Sequence, residues 1–168
     1  ATVSSLLQDG EALYHTTDAA ERYSILYGPT LYLITGSLFK IFGASIPLAK
    51  AGAAVALISA LGLIFVTLMR SVRVNTALIL TSVAALMLWT TGTSPFVLRP
   101  DPFLIFGAAL GLFGAGLKQK RMAVLVVAIA IGFSVNLKVH AGLYMLPVLA
   151  LLDMRHGWKP VLSAVGLG

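Results

Sequence analysis

Long apolar runs, closed by short basic turns, set the limits on what this chain can fold into. Residues 47–69 run from Pro47 to Met69, with Arg70 and Arg73 behind them. Residues 75–92 follow, opened by Asn75, a residue suited to an N-cap. Residues 102–117 come after Asp101 and stop before "KQKR", and residues 122–137 stop at Lys138. Residues 141–153 precede "RHGWK", and Pro160 reads as the first residue of one more helix. A membrane-spanning helix needs about 20 apolar residues to cross a core about 30 Å thick. The expected fold is therefore all-α, a polytopic membrane helix bundle of about five spans plus the start of another.

Composition agrees with that reading. Of the 168 residues, 58% are hydrophobic and 11% charged. A soluble domain carries about 25% charged residues. Twelve Lys and Arg against six Asp and Glu leave a net charge of +6. No basic tract carries interleaved aromatics, so nucleic acid is not an expected partner. The excess fits cytoplasmic loops instead, because basic residues hold such loops inside. Without cysteine, disulfides and thiolate metal sites are excluded.

The polar start is different in kind. Residues 1–28 hold Asp9, Glu11, His15, Asp18, Glu21 and Arg22 together with Tyr14, Tyr23 and Tyr27. This reads as a loop with a short helix outside the hydrocarbon. Residues 29–42 form an apolar helix between Pro29 and Gly43. Fourteen residues are few for a crossing, and Lys40 near its end fits a helix lying in the interface. A tilted short span is the alternative. The chain thus divides into an extracytoplasmic segment, 1–46, and a transmembrane bundle, 47–168.

Basic residues also give the orientation. Arg70 and Arg73, then Lys118, Lys120 and Arg121, then Arg155 and Lys159 occupy alternate turns, seven of the twelve cations. All three turns are placed in the cytoplasm. Residues 1–46, 93–101 and 138–140 then face outside. That face collects Asp9, Glu11, Arg99, Asp101, Lys138 and His140, so acid–base chemistry is expected there.

The order of motifs resembles a known family. An acidic loop "QDGEALYHTTDAAERY" leads to "YGPTLYLITGSLFKIFG", then to "LRPDPFLIFGAALGL", "NLKVHAG" and "LLDMRHGWK". This resembles the membrane-embedded GT-C glycosyltransferases that use polyprenyl-phosphate sugars. It looks most like the branch of protein O-mannosyltransferases, aminoarabinose transferases and galacturonosyltransferases. The resemblance covers nearly the whole chain, and implies that it is the N-terminal part of a longer protein without the family's first helix, expected to be inactive alone. "Y-G-P" stands where that branch more often has a double proline. The resemblance implies an integral, multi-pass protein of a bacterial inner membrane with an extracytoplasmic active site. It implies inverting transfer from a polyprenyl-phosphate sugar to a glycan, lipid or protein acceptor, through a hydroxyl or amine.

Each step of that reaction asks for a residue type. A carboxylate takes the acceptor's proton. Asp9 is the expected base, with Glu11 close behind; ordinary solvated loop acids are the plain alternative. Cations receive the leaving phosphate. Arg99 and Lys138 are the candidates, and interfacial anchors that snorkel are the alternative for both. Asp101 before Pro102 is a helix start and can also orient Arg99. His140 can assist at the phosphate or sit in the interface. Tyr14, Tyr27 and Tyr32 can hold sugar or lipid, or form an interfacial aromatic belt. "GAALG" from Gly107, with Gly114 and Gly116, suits close helix packing. No cofactor is expected; Asp9 and Glu11 resemble a divalent-ion motif, but the branch looks metal-independent. A secondary transporter, with Lys138 in its path, and a non-catalytic membrane assembly protein are the competing readings.

Overall fold

The computed structural model describes residues 28–90 and 100–168, and the described residues are all-helical. In chain order the helices are α1 (Pro29–Phe42), α2 (Ile46–Met69), α3 (Val74–Thr90), α4 (Asp101–Ala115) and α5 (Lys120–Val135). A 3₁₀ segment (Val139–Met145) follows, then α6 (Leu146–His156) and α7 (Trp158–Leu167). Among the described residues one helix, α2, is long and apolar enough to cross a membrane; α3 and α4 are shorter apolar helices.

Local chemistry sets most boundaries. Pro29 supplies a helical φ at the start of α1, and Gly43 ends it at φ 84°, where its N–H reaches the Phe39 carbonyl at 2.9 Å. Ser45 caps α2 by accepting from the Leu48 N–H at 3.3 Å. Gly157, also at φ 84°, separates α6 from α7.

Three expected helix starts are corrected. Asn75 lies inside α3, because the ladder already begins with the Ala77 N–H on the Arg73 carbonyl at 2.9 Å. Asp101 is not the N-cap of α4. Pro100 takes that place, and Asp101 is in the first turn without a side-chain cap bond. Pro160 stands in the first turn of α7, which opens at Trp158. The expected span 141–153 is replaced by the 3₁₀ segment and α6, because Pro147 in the first turn resets the helix there.

Small residues set the packing distance. The buried face of α2 is Ala49, Ala53, Ala56, Leu57 and Ala60, at helical spacing. It packs on α4. Helix α4 and α5 form an antiparallel pair in a fixed register. Gly107 faces Ser134, Gly111 faces Ala130, and Gly114 faces Val126 and Val127. A Cβ at Gly114 would lie 2.6 Å from Val126 Cγ1, so the glycine is what allows this approach. The Phe106 and Phe133 rings meet edge to face at 5.9 Å across the same pair.

Two apolar cores result. One joins Val127, Ile131, Met145, Val148, Leu152 and Ala164. The other joins Ala53, Ala56, Phe103, Leu104, Leu137 and Ala141, with Leu31 and Ile34 of α1 against it. Helix α3 packs beside α2 and buries only Ala77. Its Ile79, Leu86 and Trp89 stay exposed, as do Val55 and Ile58 of α2.

Candidate functional site

Three stretches distant in sequence meet at one end of the bundle. The Gly28 N–H donates to the Leu137 carbonyl at 3.0 Å. A Cβ on Gly28 would run into the Asn136 carbonyl, so the chain enters α1 directly against the 136–138 turn. Leu137 and Ala141 share a core with Phe103 and Leu104 from the first turns of α4. The entry to α1, the start of α4 and the Lys138 turn are therefore neighbours.

The turn itself is well held. The Lys138 N–H reaches the Ser134 carbonyl at 3.1 Å, and the Lys138 carbonyl accepts from the Ala141 N–H at 2.8 Å. Lys138 has extended backbone, φ −160°, ahead of the 3₁₀ segment, and its side chain is half-buried. Buried Leu137 fixes where that backbone lies, so Lys138 starts from a defined position at the rim.

Asp101 lines a cleft of about 270 Å³ with Leu88, Leu104, Ile105, Ala108 and Tyr144. A carboxylate in a helix's first turn is favoured by the positive end of the helix dipole. Among the described residues neither Asp101 nor Lys138 forms an ion pair. His140 is exposed on the 3₁₀ segment and does not line this cleft. Asp9, Glu11, Tyr14, Tyr27 and Arg99 lie outside the described residues. Tyr32 is buried in α1.

Beneath this end runs a nearly all-apolar groove of about 430 Å³. Leu38 of α1, Gly52 and Val55 of α2, Phe103 and Phe106 of α4 and Phe133 of α5 line it. Phe103 joins the groove to the core under the Lys138 turn. The groove exists because α2 presents Ala51, Gly52 and Ala56 to it. Small side chains there leave space that larger ones would fill.

Sequence reasoning missed Tyr144 and this groove. Tyr144 falls in a stretch that reads as the inside of a span, and only the 3₁₀ turn brings it beside Asp101. The groove arises between helices distant in sequence, which no local pattern shows. Among the described residues no three His, Cys, Asp or Glu side chains cluster as a metal site would require.

The opposite end carries the basic turns. Arg70, Gly116, Leu117, Lys118 and Arg155 surround one cavity of about 350 Å³. All three expected basic turns contribute residues to it or adjoin it. Three carbonyls at or just past the C-terminus of α4 are taken up by side chains from elsewhere. Arg70 Nη1 donates to Phe113 O at 3.2 Å, Arg155 Nη1 to Gly116 O at 3.0 Å, and His156 Nε2 is 3.0 Å from Leu117 O. Phe113 is in the last turn of α4, Gly116 is its C-cap and Leu117 follows; side chains of α6 and of the residue following α2 serve all three.

No family model, no curated protein and no solved structure matches this chain.

Proposed function

We propose that the chain belongs to a polytopic membrane glycosyltransferase that moves a sugar from a polyprenyl-phosphate donor to an acceptor hydroxyl or amine at the extracytoplasmic face. The apolar groove carries the reading. It offers aromatic and aliphatic walls to a prenyl chain, and Phe103 links it to the end that bears Lys138 and Asp101. A lipid-linked phosphate anchored there would place its headgroup at the rim, within reach of a cation. The exposed apolar faces of α2 and α3 support the bilayer as their solvent, because a helix apolar all round is otherwise buried in a core.

The chemistry then divides among named residues. The acceptor oxygen or nitrogen attacks the anomeric carbon from the face opposite the phosphate, and configuration inverts. The bond from that carbon to the phosphate oxygen breaks, and its electron pair leaves with polyprenyl phosphate. Asp9, or Glu11 beside it, takes the acceptor's proton. Lys138 and Arg99 receive the growing phosphate charge. Gly28 against Leu137 supports this division, since it brings the end of the acidic segment to the Lys138 turn.

The test is Asp9→Asn in the full-length protein in membranes, assayed by transfer of label from a panel of polyprenyl-phosphate sugars, with expression checked. Loss of transfer at normal membrane level is the expected result. Wild-type protein that transfers from no donor would overturn the reading.

A further inference from the structure

We propose that the basic end is a binding site for an anionic phosphate ester, separate from the groove and from the residues assigned to transfer. Its cavity of about 350 Å³ falls in the ~300–1,000 Å³ range of small-ligand sites. Three cations stand around it: Arg70 just after α2, Lys118 between α4 and α5, and Arg155 in the last turn of α6. None of its lining residues is acidic. Asp153, two positions before Arg155 on α6, does not line it.

A helix C-terminus would by itself repel an anion. Here that objection is answered by the caps. The Phe113 and Gly116 carbonyls are engaged by the Arg70 and Arg155 guanidiniums and His156 Nε2 meets the Leu117 carbonyl, so two fixed positive charges cover the negative end of α4. Each guanidinium spends one N–H on its carbonyl and has five in all. The backbone bond fixes where the fork sits, and the remaining donors suit phosphate oxygens. Lys118 makes no hydrogen bond to a described residue and adds a third charge. Basic pockets between helices at a membrane face bind phosphate headgroups in this way. A soluble phosphate ester would present the same chemistry.

The experiment uses the purified protein in a neutral detergent. Native mass spectrometry reads retention of phosphatidylglycerol against phosphatidylcholine, and thermal shift reads inorganic phosphate. Lys118→Gln leaves all three caps in place, and Lys40→Gln on α1 is the charge-matched control outside the cavity. The expected result is binding unchanged in Lys40→Gln, weakened roughly fivefold in Lys118→Gln, and weakened again by a similar factor in Lys118→Gln/Arg155→Gln. Phosphatidylglycerol retained against millimolar inorganic phosphate upholds the site as a lipid headgroup site. Displacement by inorganic phosphate, with a thermal shift of its own, upholds it as a site for a soluble ester. Equal loss in Lys40→Gln and Lys118→Gln, or binding of neither probe, overturns it. Neither readout depends on sugar transfer, so failure of the transferase reading leaves this result standing.

Discussion

The Arg70 guanidinium lies over the Phe113 ring, 4.1 Å from its centroid, while its Nη1 donates to the Phe113 backbone carbonyl at 3.2 Å. One side chain thus satisfies a helix end and covers an aromatic face. It ties the residue after α2 to the last turn of α4, 43 positions away. Two effects contribute, and they can be separated. Phe113→Leu removes the ring and keeps the carbonyl; Arg70→Ala removes both contacts. An exposed cation–π pair gives about 0.5–1 kcal/mol. A charged hydrogen bond gives roughly 1.5–3 kcal/mol when buried, and less here because Arg70 is exposed. Arg70→Ala should therefore destabilise by about 1–2 kcal/mol and Phe113→Leu by about half of that, the double mutant costing less than the sum. Unfolding in detergent mixtures measures all three.

Gly107 and Ser134 are coupled more tightly. A Cβ on Gly107 would collide with Ser134 Oγ, and that hydroxyl is buried with no hydrogen-bond partner among the described residues. Gly107→Ala should destabilise by about 1–3 kcal/mol through overpacking. Ser134→Ala should be neutral or stabilising, because it removes an unpaired buried hydroxyl. The double mutant should recover much of the loss, since the next contacts of the new methyl are 3.3 Å and 3.6 Å away. Additive losses in the unfolding cycle would refute the α4–α5 register.

Asp101 distinguishes a first-turn charge from a side-chain cap. As a residue within the first turn that makes no cap bond, its carboxylate acts through the helix dipole. Asp101→Ala should then cost about 0.3–1 kcal/mol, and Asp101→Asn nearly as much. If Asn retained full stability while Ala lost about 1–2 kcal/mol, the side chain would be a cap after all.

What the sequence disclosed follows from the range of the physics. The 29–42 helix was legible to the residue, because Pro29 and Gly43 act within one turn of its ends. The packing role of Gly107 and Gly111 was legible too, since small residues at four-residue spacing line one helix face. Asn75 and Asp101 misled because a good capping residue one or two positions past the cap looks the same on paper. The set of caps on α4 was hidden for another reason. Arg155 and His156 reach carbonyls 39 positions away, and only the fold brings them there. At the candidate site, the meeting of Gly28 with Leu137 and the groove below Phe103 depend likewise on tertiary contact.

Lys138 is where the transferase reading is most exposed to test. Its backbone is fixed by Leu137 in the core and by the Ser134 and Ala141 hydrogen bonds, so substitution changes the ammonium with little effect on the turn. If that ammonium binds the donor's phosphate in ground and transition states alike, Lys138→Gln should raise KM for the donor and leave kcat close to wild type. If it meets the charge that develops as phosphate leaves, kcat falls instead, by about tenfold for each 1.36 kcal/mol of stabilisation lost. The leaving phosphate gains charge along the reaction, so the expected outcome is a fall in kcat of about 10–100-fold, partly restored by Lys138→Arg. An interfacial anchor would predict reduced membrane insertion with normal turnover per inserted molecule. Measuring transfer per molecule in the membrane, with insertion scored separately, decides between the two roles.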